Sequence, residues 1–125
     1  MTLIFVAAGG AIGAVARYLL AVRLYNQLGV DFPWGTLGVN VLGCGLLGIV
    51  LGLVEERGAF TPQVRSFLTV GVLGGFTTFS TFTYESWQYL REGDPLKSGL
   101  YIGLSLLLGL VAFTLGHGAI VTLER

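Results

Sequence analysis

Apolar residues run along this chain in four long stretches, separated by short clusters of charged and turn-forming residues. The stretches cover about residues 3–25, 35–54, 61–90 and 95–123. About 20 apolar residues in a helix cross the hydrocarbon core of a bilayer, and each stretch reaches that length. The second opens after Asp31-Phe32-Pro33-Trp34, and the third at Thr61-Pro62, where a proline suits the first helical turn. The loops at 26–34, 55–60 and 91–94 are too short to hold a soluble domain. The pattern predicts an all-α membrane protein, with one four-helix transmembrane domain over residues 1–125.

The third stretch departs from a uniform apolar helix. Its middle, residues 71–82, reads GVLGGFTTFSTF. Gly71, Gly74 and Gly75 loosen the backbone, each at a cost of roughly 1 kcal/mol against Ala. Thr77, Thr78, Ser80 and Thr81 interleave with Phe76, Phe79 and Phe82. In lipid such a run persists only where it is buried in protein or lines a polar cavity. The sequence therefore predicts a broken third helix, with the break at Gly74-Gly75. Freed carbonyls at such a break are natural ligands for a hard monovalent cation, and two breaks meeting in an antiparallel dimer would share one ion.

Glycine is patterned elsewhere too, with 20 in the chain. Gly9, Gly13 and Arg17 recur every four residues in the first stretch, with Gly10 and Ala14 beside them. Thr36, Asn40, Cys44, Gly48 and Gly52 do so in the second. Tyr101, Ser105 and Gly109 do so in the fourth, with Ala112 and Gly116 near the same face. Such stripes let helix backbones approach closely in a bilayer, where the hydrophobic effect does not drive association.

Composition narrows the function classes. The chain is 54% hydrophobic and 11% charged, with mean hydropathy +0.79; a soluble domain carries about 25% charge. The seven basic residues are dispersed and balanced by seven acidic ones, which argues against a nucleic-acid partner. The single cysteine, Cys44, excludes a disulfide framework, and no metal-ligand spacing of Cys, His and carboxylates occurs. No nucleophile–base pair points to an enzyme. Ala14-Val15-Ala16 resembles a signal-peptide cleavage site, but residues 2–16 lack Lys and Arg, so the first stretch is read as retained.

Charge also bears on orientation. With four spans, Arg57, Arg65 and Arg125 share one side, whereas Arg23, Arg91 and Lys97 share the other, with Arg17 as a possible fourth. The positive-inside rule needs an excess on one side. Near balance predicts insertion in both orientations, and thus an antiparallel, dual-topology homodimer, the inverted-repeat architecture made from two copies.

Individual polar residues carry alternative readings. Asn40, six residues into the second span, holds the bundle by an interhelical hydrogen bond or aims a donor into a substrate path. Arg17, the charge well inside a span, snorkels to the interface or faces a partner or cavity. Glu85 sits beside Tyr84 and Trp87 near a span end, either at the interface or in a vestibule. Phe76, Phe79 and Phe82 share a helix face at i, i+3, i+6. That stripe is core packing, or it presents ring edges, which are electropositive, to a small anion beside the hydroxyls. Weak contacts of this kind allow both entry and exit.

At GGAIGAVARY (residues 9–18), GTLGVNVLGC (35–44) and GVLGGFTTFSTFTYE (71–85) the chain resembles the CrcB/Fluc fluoride channel family, in order and over essentially its whole length. The resemblance implies an antiparallel dual-topology homodimer in the bacterial cell inner membrane, with two pores that passively export fluoride from the cytoplasm. It implies that Phe79 and Phe82 line the pores, with Asn40 as the pore asparagine and Ser80 and Thr81 as hydroxyls near the ion path. Gly74 and Thr77 correspond to residues whose carbonyls bind a structural sodium ion (Na+) at the dimer centre. Tyr101 and Ser105 correspond to the start of a polar track whose next turn is Gly109 here, where some members carry a hydroxyl. Arg17 corresponds to a first-helix arginine with a structural or vestibular role. The competing reading, a small dual-topology proton-coupled drug antiporter, requires an intramembrane carboxylate. The first, second and fourth spans contain none before their ends.

Overall fold

The computed structural model describes residues 1–123, and among them the backbone forms helices and no strands. In chain order these are α1 (Thr2–Leu28), α2 (Trp34–Arg57), α3 (Pro62–Ser66), a π-helical stretch (Phe67–Leu73), α4 (Gly74–Phe76), α5 (Phe79–Arg91) and α6 (Pro95–Leu123). Arg125, one of the charges used to judge orientation, lies outside the described residues. Helices α1, α2 and α6 are each long and apolar enough to cross a membrane.

Local signals set the ends. Helix α2 closes at Gly58, which takes the left-handed conformation (φ 57°) and donates to the Val54 carbonyl at 3.0 Å, while Ala59 donates to that of Leu53 at 3.2 Å. This glycine-terminated closure satisfies carbonyls the helix would leave bare. Helix α3 opens with Thr61 Oγ1 accepting the Val64 N–H at 3.3 Å and Pro62 next in line, a capped start with the proline where no N–H is needed.

The glycine stripes are seams. A Cβ on Gly13 would collide with the Val72 carbonyl, and one on Gly9 with the carbonyl of Phe67. Gly75 presses in turn on the backbone of Gly10. Helix α1 thus lies backbone to backbone against residues 67–76. On the other side, a Cβ on Gly48 would meet the Phe113 carbonyl and one on Gly116 the carbonyl of Gly45, which joins α2 to α6 in the same way. Outside the seams the surface is apolar: Leu107, Leu110 and Leu115 of α6 and Ile12, Val15 and Leu19 of α1 are all exposed. The buried hydrophobic set is short, comprising Leu37, Val39, Leu73, Phe76 and Tyr101. A water-soluble domain keeps such leucines inside; this is a membrane protein.

Residues 62–91 differ from the sequence expectation in one respect. Gly74 and Gly75 are helical, and the α-helical path stops after them, at Thr77 (φ −86°, ψ 157°) and Thr78 (φ −146°, ψ 117°). Gly75 serves close approach to α1 rather than unwinding, while Gly74 is exposed. What ends the helix is a competitor for its hydrogen bonds. In a continuing helix the Thr78 N–H would reach the Gly74 carbonyl; here it donates to Asn40 Oδ1 at 2.8 Å. The extended pair also separates Phe76, buried at the end of α4, from Phe79, exposed at the start of α5. The three rings therefore do not form one helical stripe.

Candidate functional site

Asn40 on α2 reaches the extended pair and closes a two-bond clamp. Its Nδ2 donates to the Thr78 carbonyl at 2.9 Å while its Oδ1 accepts the Thr78 N–H. This matches an amide to a peptide group, donor to acceptor on both sides, and uses one of the two Nδ2 hydrogens. The interhelical reading of Asn40 thus describes the clamp, and the second hydrogen remains for the adjoining cavity. Thr78 then starts α5 as its N-cap: its Oγ1 accepts the Thr81 N–H at 3.3 Å and donates to Thr81 Oγ1 at 3.1 Å. A β-branched hydroxyl residue in extended conformation is a favoured cap. Thr78 carries no role in the sequence reading, although its place ahead of an apolar helix start was the available signal.

A cavity of about 340 Å³ opens beside this clamp. Asn40, Cys44, Thr77, Thr78, Phe79, Phe82 and Ser105 line it, with Leu47, Leu73 and Leu106 among the apolar walls. No charged side chain is part of the lining. Ser105 Oγ is buried without a hydrogen-bond partner among the described residues, on a residue that lines this cavity. Phe79 and Phe82 stand with ring centroids 5.7 Å apart. Phe82 is fixed from behind by Tyr101, at 5.2 Å and 56°, whereas Phe79 is 77% exposed. Of the hydroxyls expected at the ion path, Ser80 and Thr81 are exposed on α5 and are not part of the lining. Thr81 also contributes to the cap.

Tyr101 is fully buried and joins a second group of polar side chains. Glu85 on α5 accepts at Oε1 from Thr36 Oγ1 (2.7 Å) and Tyr25 OH (3.2 Å), and at Oε2 from Tyr101 OH (2.6 Å). Three hydroxyl donors from α1, α2 and α6 thus converge on one carboxylate. Sequence reasoning read Glu85 as interfacial or vestibular and gave Tyr25 and Thr36 no part in its surroundings. Thr36, spaced one turn ahead of Asn40, was the signal. On the outer side of this network a polar cavity of about 370 Å³ is lined by Tyr25, Asp31, Glu85, Gln88, Tyr89, Glu92 and Lys97.

Arg17 donates from Nη1 to the Thr77 carbonyl at 3.3 Å. It therefore faces the interrupted backbone rather than the lipid interface. Gly74 is exposed and has lost the Thr78 N–H as a partner for its carbonyl, and the Thr77 carbonyl keeps one lone pair beyond the arginine bond. Two neutral carbonyl oxygens fit a hard monovalent cation in kind. They are too few in number unless a second copy supplies as many again.

A family model described as CrcB-like protein, Camphor Resistance (CrcB), matches residues 4–117. The chain is 46% identical over 116 residues to the fluoride-specific ion channel FluC of Hydrogenovibrio crunogenus, covering 93% of this chain and 88% of that one. It is 49% identical over 115 residues to the protein of the same name in Hahella chejuensis, with coverage of 91% and 90%. For its namesake in Thermus thermophilus the figures are 48% over 121 residues, with 94% of each chain covered. With its glycine seams, its amide clamp and this similarity along nearly its whole length, the chain belongs to the CrcB-like family.

Proposed function

We propose that this protein is a passive, fluoride-selective ion channel that exports fluoride from the cytoplasm across a bacterial inner membrane. The observation that carries the reading is the neutral cavity beside Asn40: an amide hydrogen, the unpartnered Ser105 hydroxyl and two phenyl rings converge there without a fixed charge. Fluoride is small and strongly hydrated, and it accepts hydrogen bonds strongly. Several neutral donors replace part of its water, while the absence of a cationic side chain lets it leave again. Ring edges contribute weak positive potential along the apolar wall. The relatives named as fluoride-specific channels support the choice of ion.

The working unit in this reading is an antiparallel, dual-topology homodimer with two pores. Residues 62–91 then form one interrupted crossing, the third in chain order, which brings the total to four. Support comes from the near balance of Arg57 and Arg65 against Arg23, Arg91 and Lys97, and from the exposure of Gly74, Phe79, Ser80 and Thr81, which leaves the cavity open along one side of a single chain. A second copy laid over this face closes it. The Gly74 and Thr77 carbonyls of both copies would hold a central sodium ion, which supplies positive charge to join two helix breaks.

The drug-antiporter reading has no matching observation. The cavity beside Asn40 has no carboxylate in its lining, and both oxygens of Glu85 are taken by hydroxyls of its own chain. The decisive experiment is efflux from proteoliposomes loaded with fluoride or with chloride and followed by ion-selective electrodes. Fluoride release with chloride retention is expected. Retention of both ions by well-folded protein rejects the channel.

A further inference from the structure

We propose that Arg17 is a positioning residue for the ion path: its guanidinium pins the Thr77 carbonyl from one side while Asn40 holds Thr78 from the other. The selectivity and flux arm of this inference rests on the channel reading; the backbone arm does not. Gly9 and Gly13 sit where α1 touches the backbone of residues 67–76, and Arg17 is the next position along the same stripe. The two glycines set the distance at which an arginine, one turn on, meets the point where the helix stops. A cation is favoured at a helix C-terminus, where carbonyls lack partners.

The consequence is a peptide pair held at all four of its backbone polar groups, with the Gly74 carbonyl next to it left without its helical partner. The Thr77 N–H goes to the Leu73 carbonyl (3.0 Å) and the Thr77 carbonyl to Arg17. The Thr78 N–H and carbonyl both go to Asn40. The Thr77 side chain is tied back as well, with Oγ1 donating to the Leu73 carbonyl at 2.9 Å. The Gly74 carbonyl is the group left over. Phe79 follows directly on this pair, so the direction in which α5 departs, and with it the placing of Phe79 and Phe82, depends on the angle at which the pair is held. Arg17 is half-buried, is not part of the cavity lining, and is joined to it by the hydrogen bond to Thr77. Its effect on an anion is therefore indirect.

The test uses the full-length protein in detergent or bilayer, with Arg17→Gln, Arg17→Lys and the unmodified chain. Hydrogen–deuterium exchange is followed on the peptide covering residues 77–82, whose Thr78 and Thr81 amides are bonded to Asn40 and to the Thr78 cap. Arg17→Gln is expected to speed exchange there by about tenfold, the loss of one charge-assisted bond, with peptides of α2 and α6 unchanged. Arg17→Lys should restore slow exchange, because an ammonium still donates to a carbonyl. In liposomes, Arg17→Gln should lower fluoride efflux and raise chloride leak together. Unchanged exchange at residues 77–82 overturns the inference, whatever the transport result. Altered exchange with fluoride efflux and chloride leak both equal to the unmodified chain overturns its functional half. A wild-type protein that passes no fluoride, but shows the exchange change, rejects the channel reading and leaves the pinning role supported.

Discussion

Asn40 and Thr78, 38 residues apart in sequence, share two hydrogen bonds of 2.9 and 2.8 Å between one side-chain amide and one backbone residue. The pairing stops a helix in the middle of the protein and fixes where the next begins. Asn40→Ala leaves a buried N–H and a buried carbonyl without partners, at roughly 1–3 kcal/mol for each. Asn40→Asp keeps the acceptor but sets a second acceptor against the Thr78 carbonyl and adds negative charge beside the cavity. Both variants should melt at lower temperature than the unmodified protein, and Asn40→Asp should lose fluoride efflux more completely. An Asn40→Asp protein that conducts normally would remove Asn40 from the ion path.

The two rings differ in what holds them, so their substitution should differ in consequence. Phe82 packs against buried Tyr101, whereas Phe79 is largely exposed in the single chain. Phe79→Ile should leave the melting temperature nearly unchanged, while Phe82→Ile should lower it modestly. Each should cut fluoride efflux by about tenfold or more, since a branched aliphatic has no electropositive ring edge. Cross-linking or light scattering then reports the assembly state. Loss of the dimer with the flux would make the rings interface packing rather than pore lining.

Glycines that look alike in the sequence are separable by what faces them. Gly13 lies against the backbone carbonyl of Val72, whereas Gly99 has open space where a Cβ would go. Gly13→Ala should push α1 off the third segment and sharply reduce the yield of folded protein. Gly99→Ala should be neutral within one chain, or stabilising by up to about 1 kcal/mol through helix propensity. Melting curves of the two variants decide this, and equal effects would contradict the seam assignment.

Three membrane-long helices, the glycine seams and an interhelical hydrogen bond for Asn40 were legible because each rests on local pattern. Period, small-residue spacing and a polar group in an apolar run all survive without knowledge of partners. The position of the helix stop was not legible. Gly74-Gly75 is the weakest point by propensity, but the stop falls at Thr77 and Thr78 because Asn40 competes for the Thr78 N–H. That competition is a tertiary contact, invisible to a window of neighbouring residues. For the same reason Glu85 reads as interfacial or vestibular in sequence, since its donors Tyr25, Thr36 and Tyr101 come from three other helices. The Phe76–Phe79–Phe82 stripe failed with the helix that was to carry it.

The Glu85 network invites a double-mutant cycle. Tyr101→Phe removes the 2.6 Å donor and Thr36→Val the 2.7 Å donor, each on a different carboxylate oxygen. Leaving a buried acceptor without its donor costs about 1–3 kcal/mol, so each single variant should be destabilised on that scale. Because both act through Glu85, the double variant should lose less than the sum. Additive losses in thermal denaturation would show that the two hydroxyls do not share the carboxylate.

Replacing sodium is the most direct probe of the proposed dimer centre. The Gly74 carbonyl lacks its helical partner, and Arg17 already occupies one lone pair of the Thr77 carbonyl. An ion there must be held by neutral oxygens next to a guanidinium, whose like charge opposes a divalent cation more than a monovalent one. Exchange of sodium for N-methylglucamine, whose cation is too large for such a cradle, should lower the melting temperature or shift the protein from dimer to monomer. A ligand bound at 100 times its dissociation constant stabilises by about 2.7 kcal/mol, so the shift should scale with the logarithm of sodium concentration. Gly74→Ala offers the control: within one chain its Cβ has room, with the Thr69 carbonyl oxygen at 3.6 Å the nearest atom. It should retain the sodium dependence, because the ligand is backbone and not side chain. A melting temperature indifferent to sodium in both proteins would rule the bound cation out.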